Sequence, residues 1–189
     1  MKLSILICTV SKRVNTFLPN FIYLLDIQIN NFKYGNDVEM LYLGDNKKRS
    51  IGRKRNDLLA LAQGEYVVFV DDDDILSPNF VQSIYEALDG SDCIIYNVAC
   101  SINKGVYKMV YYDKGYRKDR NFINHYERLP NHLMVVKREI ARSVGFKDLS
   151  FGEDALYAKE LKNKLHTQRK IKEILYYYNF CDNTSESGK

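Results

Sequence analysis

Tyr66-Val67-Val68-Phe69-Val70-Asp71-Asp72-Asp73-Asp74 decides the fold of this 189-residue chain. Five apolar residues in a row, three of them valines, form a strand covered on both faces. Four aspartates close it. In an open α/β sheet, ligands bind beyond the carboxyl ends of the strands, so this end is the first place to look for chemistry.

The pattern continues on either side of it. Upstream, residues 3–10 are a short, β-branched apolar run without a small-residue cleavage site, so they read as a first buried strand and not a signal peptide. Phe17, Phe21, Leu24, Leu25 and Ile29 recur at helical spacing through 14–31. Val38 to Leu43 is a second strand, ended by Gly44-Asp45-Asn46. Ser50 caps a helix that runs through Arg55, Leu58, Leu59 and Leu61 to Gln63, and Gly64 stops it.

Downstream, Ser77-Pro78 opens a helix over 78–88. Asp92 to Cys100 is a fourth strand, and Val106 to Tyr112 pairs with it as an antiparallel hairpin. Roughly the first ninety residues therefore read β-α-β-α-β-α-β: an α/β fold with a mainly parallel central sheet and helices on both faces. Residues 113–130 are polar and irregular. His132 to Val136 returns to a strand, 137–144 is a short helix, Gly152 to Leu165 a longer one, and Ile174 to Tyr178 a last short strand. A polar tail, 179–189, is expected to be disordered, which leaves one domain over 1–178.

Composition bounds the function loosely. The chain is 46% hydrophobic and 28% charged, with a formal net charge of +4. That suits phosphate-bearing ligands without demanding them. Cys8, Cys93, Cys100 and Cys181 form no CxxC pair, so a reducing cytoplasm is expected. No run reaches the roughly eighteen apolar residues of a membrane span. Between 104 and 142, ten Lys/Arg face four Asp/Glu, interleaved with Tyr107, Tyr111, Tyr112, Tyr116, Phe122 and Tyr126. Such a surface suits a glycan, a phosphorylated carrier or DNA.

Three motifs carry chemistry. If the strand stays extended, Asp71 and Asp73 share a face about 7 Å apart. Adjacent carboxylates repel unless a cation or solvent compensates, and a hard divalent ion takes oxygen ligands while keeping positions open for phosphates. Asp73 holds the ion in this reading, with Asp71 on the same side and Asp72 toward the sugar or ribose. The same run also fits a solvated turn with Asp74 and Ser77 as caps. Second, Arg53-Lys54-Arg55-Asn56 puts cations at a helix start, where bare N–H groups already favour an anion. Third, Glu153-Asp154 opens a helix. Acids there stabilise the first turn, and one near a metal also suits a general base. His125, His132 and His166 lack ligand spacing and read as structural.

Together, Gly-Arg-Lys-Arg-Asn-Asp, the Ala-Gln-Gly-Glu-Tyr-Val-Val-Phe-Val run with its four aspartates, and Gly-Glu-Asp-Ala resemble family 2 glycosyltransferases of the GT-A fold. The likeness spans roughly 2–178. Segment 131–141 resembles a compact subgroup found in viral and prophage genomes. The resemblance implies that Thr9 and Asp45 hold base and ribose, and that Arg55 and Asn56 belong to the nucleotide-binding helix. Asp71, Asp72 and Asp73 match a DxD motif that binds Mn²⁺ or Mg²⁺, with Asp73 the first metal ligand. Asp154, beside Glu153, would be the base of an inverting transfer from a UDP-sugar donor. The acceptor would be a glycan, a protein or a hydroxymethylated DNA base. A non-catalytic nucleotide or nucleic-acid binding module and a nucleotidyltransferase are the rival readings. The motif after the second strand departs from the family's Asp-Asp-Gly-Ser. Leu175-Tyr176-Tyr177-Tyr178 lacks the histidine that some relatives carry in the last strand.

Overall fold

The computed structural model describes every residue except Lys104 and 181–189, so Cys181 and most of the expected tail lie outside the described residues. The chain starts one strand in from an edge of its sheet. Strand β1 (Leu3–Val10) pairs in parallel with β2 (Val38–Asp45) on one side and with β3 (Tyr66–Asp71) on the other. Helix α1 (Ser11–Val14) and α2 (Leu18–Asn31) lead to β2, and α3 (Ile51–Leu61) leads to β3. The two crossovers run in opposite directions along the sheet. Right-handed connections therefore put α2 and α3 on opposite faces, and a crevice opens between the ends of β1 and β3.

Local rules account for these elements. The Ser50 hydroxyl accepts the Arg53 N–H at 3.0 Å and caps α3. Leu18, Phe21 and Leu25 bury one stripe of α2. Every residue of β1 except Cys8 is buried, as a strand covered on both faces requires. Gly64, expected to stop α3, does something else. The helix ends at Leu61 with Ala62 as its cap. A side chain at Gly64 would stand 2.6 Å from the Ser4 nitrogen, so glycine lets the chain pass against the start of β1.

The second half departs from a plain parallel series. After the two-residue β4 (Ile75–Leu76) and α4 (Phe80–Glu86) comes β5 (Cys93–Ile102), which does not pair with β3. A three-residue strand, β9 (Val135–Lys137), lies between them and is antiparallel to both. Strand β6 (Lys108–Tyr112) forms the expected antiparallel pair with β5. The stretch read as irregular contains β7 (Arg120–Asn121) and β8 (His125–Arg128), the latter parallel to β6. Its residues are half-buried throughout, so no apolar alternation announces it. The last strand, β10 (Gln168–Phe180), is much longer than its apolar part and runs parallel to β5. Asn179 and Phe180 belong to it, so the folded part passes residue 178. Helix α5 (Arg138–Val144) and α6 (Glu153–Lys162) pack with α3, whereas α2 packs with α4. No helix among the described residues is long and apolar enough to cross a membrane.

Asp92 ties this second half together. Its carboxylate accepts N–H groups from His166 at 2.9 Å and Thr167 at 3.1 Å, and it meets Lys137 at 3.2 Å. Burial alone would raise its pKa. The two N–H groups and Lys137 outweigh burial and lower it. Replacing Asp92 with Ala should cost about 1–3 kcal/mol at neutral pH. A group with a lowered folded pKa contributes stability above its unfolded value, near 3.9, and loses it as pH falls through the folded value. Denaturation at pH 7 and at pH 2 should therefore show the wild-type advantage at pH 7 and little of it at pH 2.

Candidate functional site

The crevice between β1 and β3 opens into a cavity of about 690 Å³. Thr9, Arg55, Asp71, Asp73, Glu153 and Asp154 all line it, together with Arg13 and His132. Residues from 9 to 154 meet there because β1, β3, α3 and α6 all end or begin at this crevice.

The four aspartates do not remain extended. The chain turns at once, with the Asp74 N–H bonded to the Asp71 carbonyl at 3.2 Å. The expectation that Asp71 and Asp73 share a strand face therefore fails, although both reach the cavity. Each carboxylate finds a different partner. Cys8 pairs with Asp71 across the β1–β3 register, which places Thr9 beside Asp72. The Thr9 hydroxyl donates to Asp72 at 2.5 Å, and Arg13 donates to the same carboxylate at 2.8 Å. Asp72 is thus buried and engaged, and it does not line the cavity. The other arm of Arg13 reaches Asp73 at 2.6 Å. Asp74 accepts the Tyr176 hydroxyl at 2.7 Å and the Asn179 N–H at 3.0 Å, so it fastens β10. The same tyrosine oxygen accepts the Asp71 N–H.

Asp71 faces the cavity between two nitrogen groups. Arg55 lies 3.6 Å from one oxygen and His132 3.7 Å from the other, both longer than hydrogen bonds. Burial would raise the Asp71 pKa, but His132, Arg55 and Arg13 bring it down to about 2. Burial raises Asp73 instead, and the charges of Asp71 and Asp72 add to it despite Arg13. Burial and the Asp71 charge push Asp74 well up. Negative charge at this turn is incompletely compensated.

The basic motif of α3 divides. Arg53 is exposed. Lys54 is buried and donates to the Thr9 carbonyl at 2.8 Å, 3.3 Å from Asp45. Asp45 also accepts the Arg49 N–H at 2.9 Å and stands behind the cavity wall. Arg55 donates to Glu153 at 2.7 Å and lies over the rings of Phe69 and Phe146. Asn56 does not line the cavity. Its amide donates to the Phe146 carbonyl and accepts the Phe146 N–H, both at 2.8 Å. The glycine of this motif has a packing reason as well: a side chain at Gly52 would meet the Lys147 carbonyl at 1.8 Å. That close approach brings the loop before α6 against the start of α3.

At α6, Gly152 adopts φ 78°, a left-handed turn that glycine favours. Successive helical side chains diverge by about 100°. Glu153 accordingly turns inward onto Arg55, with 4% exposure, while Asp154 is half-buried at the cavity wall. Carboxylate oxygens of Asp71 and Asp73 suit a hard divalent ion with positions left for a diphosphate. Among the described residues, no three His, Cys, Asp or Glu side chains form a ready cage.

Arg13 and His132, both beside the aspartates, carry no sequence signal of a site. Arg13 sits in the polar stretch after β1, and nothing local distinguishes it from a solvated arginine. His132 was read as structural. It is 6% exposed, yet neither ring nitrogen has a hydrogen-bond partner.

The model of glycosyl transferase family 2 matches residues 28–145. No curated protein matches the chain. Among solved structures, S. aureus TarS 1-349 in complex with UDP-GlcNAc superposes with TM-score 0.64 at 18% identity, over 95% of this chain and 58% of that one. Glucosyl-3-phosphoglycerate synthase from Mycobacterium tuberculosis, with Mn²⁺, UDP-glucose and phosphoglyceric acid, gives 0.55 at 14% identity, over 94% and 71%. The bifunctional IspDF of Campylobacter jejuni gives 0.50 at 16%, over 92% and 50%. The chain thus spans about 60% of the length of TarS 1-349. At these identities the likeness is one of fold.

Asn56 provides a test of its own. Asn56→Ala strands the N–H and carbonyl of Phe146, so stability should fall by about 1–3 kcal/mol in denaturant unfolding. Ligand affinity measured on the remaining folded protein should change little.

Proposed function

The chain belongs to glycosyl transferase family 2, and on that premise we propose that it moves a sugar from a nucleoside-diphosphate sugar, UDP-linked, to an acceptor hydroxyl with inversion. The observation that carries this reading is the gathering of Asp71, Asp73, Arg55 and Asp154 around one cavity at the switch point of the sheet. The complexes of TarS with UDP-GlcNAc and of the mycobacterial synthase with UDP-glucose support the donor class.

In this reading Asp73 and Asp71 hold Mn²⁺ or Mg²⁺. Bound there, the ion supplies Lewis-acid charge to the diphosphate leaving group. Thr9 forms part of the nucleotide wall. Asp45, Asn56 and Asp72 act from behind it: Asp45 holds Lys54, Asn56 holds the segment before α6, and Asp72 holds Thr9 and Arg13. The Arg55–Glu153 pair orients the start of α6, a positioning role, because Glu153 is already engaged. Asp154 takes the proton of the acceptor hydroxyl, which attacks the anomeric carbon from the face opposite the diphosphate. A single displacement of this kind inverts the centre.

The cavity continues past Tyr112, Asn121, Tyr126 and Arg128, which form the acceptor side. Lys108 and Arg128 both flank the Tyr126 ring. A glycan or protein hydroxyl is the proposed acceptor. Salt-dependent DNA affinity would redirect the reading to a hydroxymethylated base. We place the chain in a reducing cytoplasm, where thiols such as Cys8, Cys93 and Cys100 remain reduced. Segment 131–141 supports placement in the compact viral and prophage subgroup.

Thermal denaturation with UDP and Mn²⁺ tests the central claim. At a hundredfold excess over Kd, binding should raise Tm by roughly 5 °C or more. Asp73→Ala should remove the metal-dependent part of that shift. No UDP shift at any metal concentration overturns the reading. Asp154→Asn should keep the UDP shift while UDP release from a UDP-sugar slows by about 10²–10⁴-fold. Unchanged release would point to a different base.

A further inference from the structure

We propose that His132 is a nitrogen ligand of the divalent cation assigned above to Asp71 and Asp73, and that it biases the site toward Mn²⁺ over Mg²⁺. The inference rests on the metal-assisted reading and names a further residue of the same site.

His132 is 6% exposed and lines the cavity. Neither Nδ1 nor Nε2 has a hydrogen-bond partner. A buried imidazole left in this state is unfavourable unless something else satisfies it. A structural histidine in a core donates one nitrogen to a carbonyl or carboxylate, and this one does not.

Its placement follows from where the ladder of β3 and β9 gives out. Those strands pair Tyr66 with Lys137 and Val67 with Val136. His132 lies in the turn just before β9, and the Phe69 N–H donates to its carbonyl at 3.1 Å, two residues out of that register. The turn sets the imidazole beside Asp71, the last residue of β3. Nε2 and the Asp71 oxygen stand 3.7 Å apart, too far to bond each other. Both remain available to a third group in the cavity.

The chemistry favours a cation over other occupants of that position. Arg55 and Arg13 already serve the carboxylates from the protein side. A carboxylate beside an imidazole is a donor pair for a first-row transition ion. Mg²⁺ takes oxygen ligands and gains little from the nitrogen. His125 stacks on Phe122, and His166 is exposed. Neither lines the cavity, so a histidine signal from bound metal identifies His132.

The test uses Mn²⁺ itself, added to the protein with UDP and followed by electron paramagnetic resonance. Wild-type protein should bind Mn²⁺ with a ¹⁴N coupling from imidazole. In His132→Gln that coupling should vanish and Mn²⁺ affinity should fall tenfold or more, with Mg²⁺ affinity changed less than twofold. The wild-type spectrum needs no variant, and His132→Asn is a second replacement should one of them fold poorly. Mn²⁺ bound without ¹⁴N coupling, or bound equally by the variants, overturns the role of His132 and leaves the metal reading standing. No Mn²⁺ bound by wild type in the presence of UDP overturns both.

Discussion

Four carboxylates in succession can occupy one largely buried turn only when groups from several elements compensate them, and this requirement organises the molecule. Asp72 is held by Thr9 and Arg13 from the end of β1. Asp73 shares the same arginine. Asp74 is held by Tyr176 and Asn179 from β10, and Asp71 faces Arg55 from α3 and His132 from the edge of β9. Left unpaired, any one of these charges would be expensive to bury. Thr9 and Asn179, 170 positions apart, are thereby drawn to one crevice. The compensation is uneven. Asp71 is held low, whereas burial and the neighbouring carboxylates raise Asp73 and Asp74.

Around that turn, the architecture separates residues that face the cavity from residues that hold them. Lys54 is buried and spans the Thr9 carbonyl and Asp45, which locks the end of β1 to the end of β2. Arg55 is one position on, points to Glu153 and orders the start of α6. Asn56 closes on the Phe146 backbone. Three successive residues of one helix thus reach three different elements, as the 100° step of a helix requires. The same step separates Glu153, turned inward, from Asp154 at the cavity wall.

Much of this was legible in the chain. Continuous apolar runs identified β1 and β3, because strands buried on both faces need apolar side chains at every position. Ser50 announced the start of α3, since capping depends on local geometry alone. The convergence of the aspartates with Glu153 and Asp154 was legible only through resemblance. Strands β7 and β8 and the first half of β10 were not legible, because their backbones pair while their side chains stay partly in water. Gly64 was assigned to a helix stop because glycine serves both purposes. Only the contact with Ser4 distinguishes them.

The amino-acid order by itself determined the alternating α/β pattern and the place of the carboxylates at a strand end, because periodicity and capping are local properties, and its motifs resembled those of the family. The tertiary structure decided which carboxylates face the cavity. It inserted β9 between β3 and β5, and the turn before β9 brings His132 within 3.7 Å of Asp71 across 61 positions of sequence. It also turned Asp72 and Asn56 away from the cavity to hold the wall. Strand register and the direction of each side chain settle those outcomes, and both depend on partners far away in the chain.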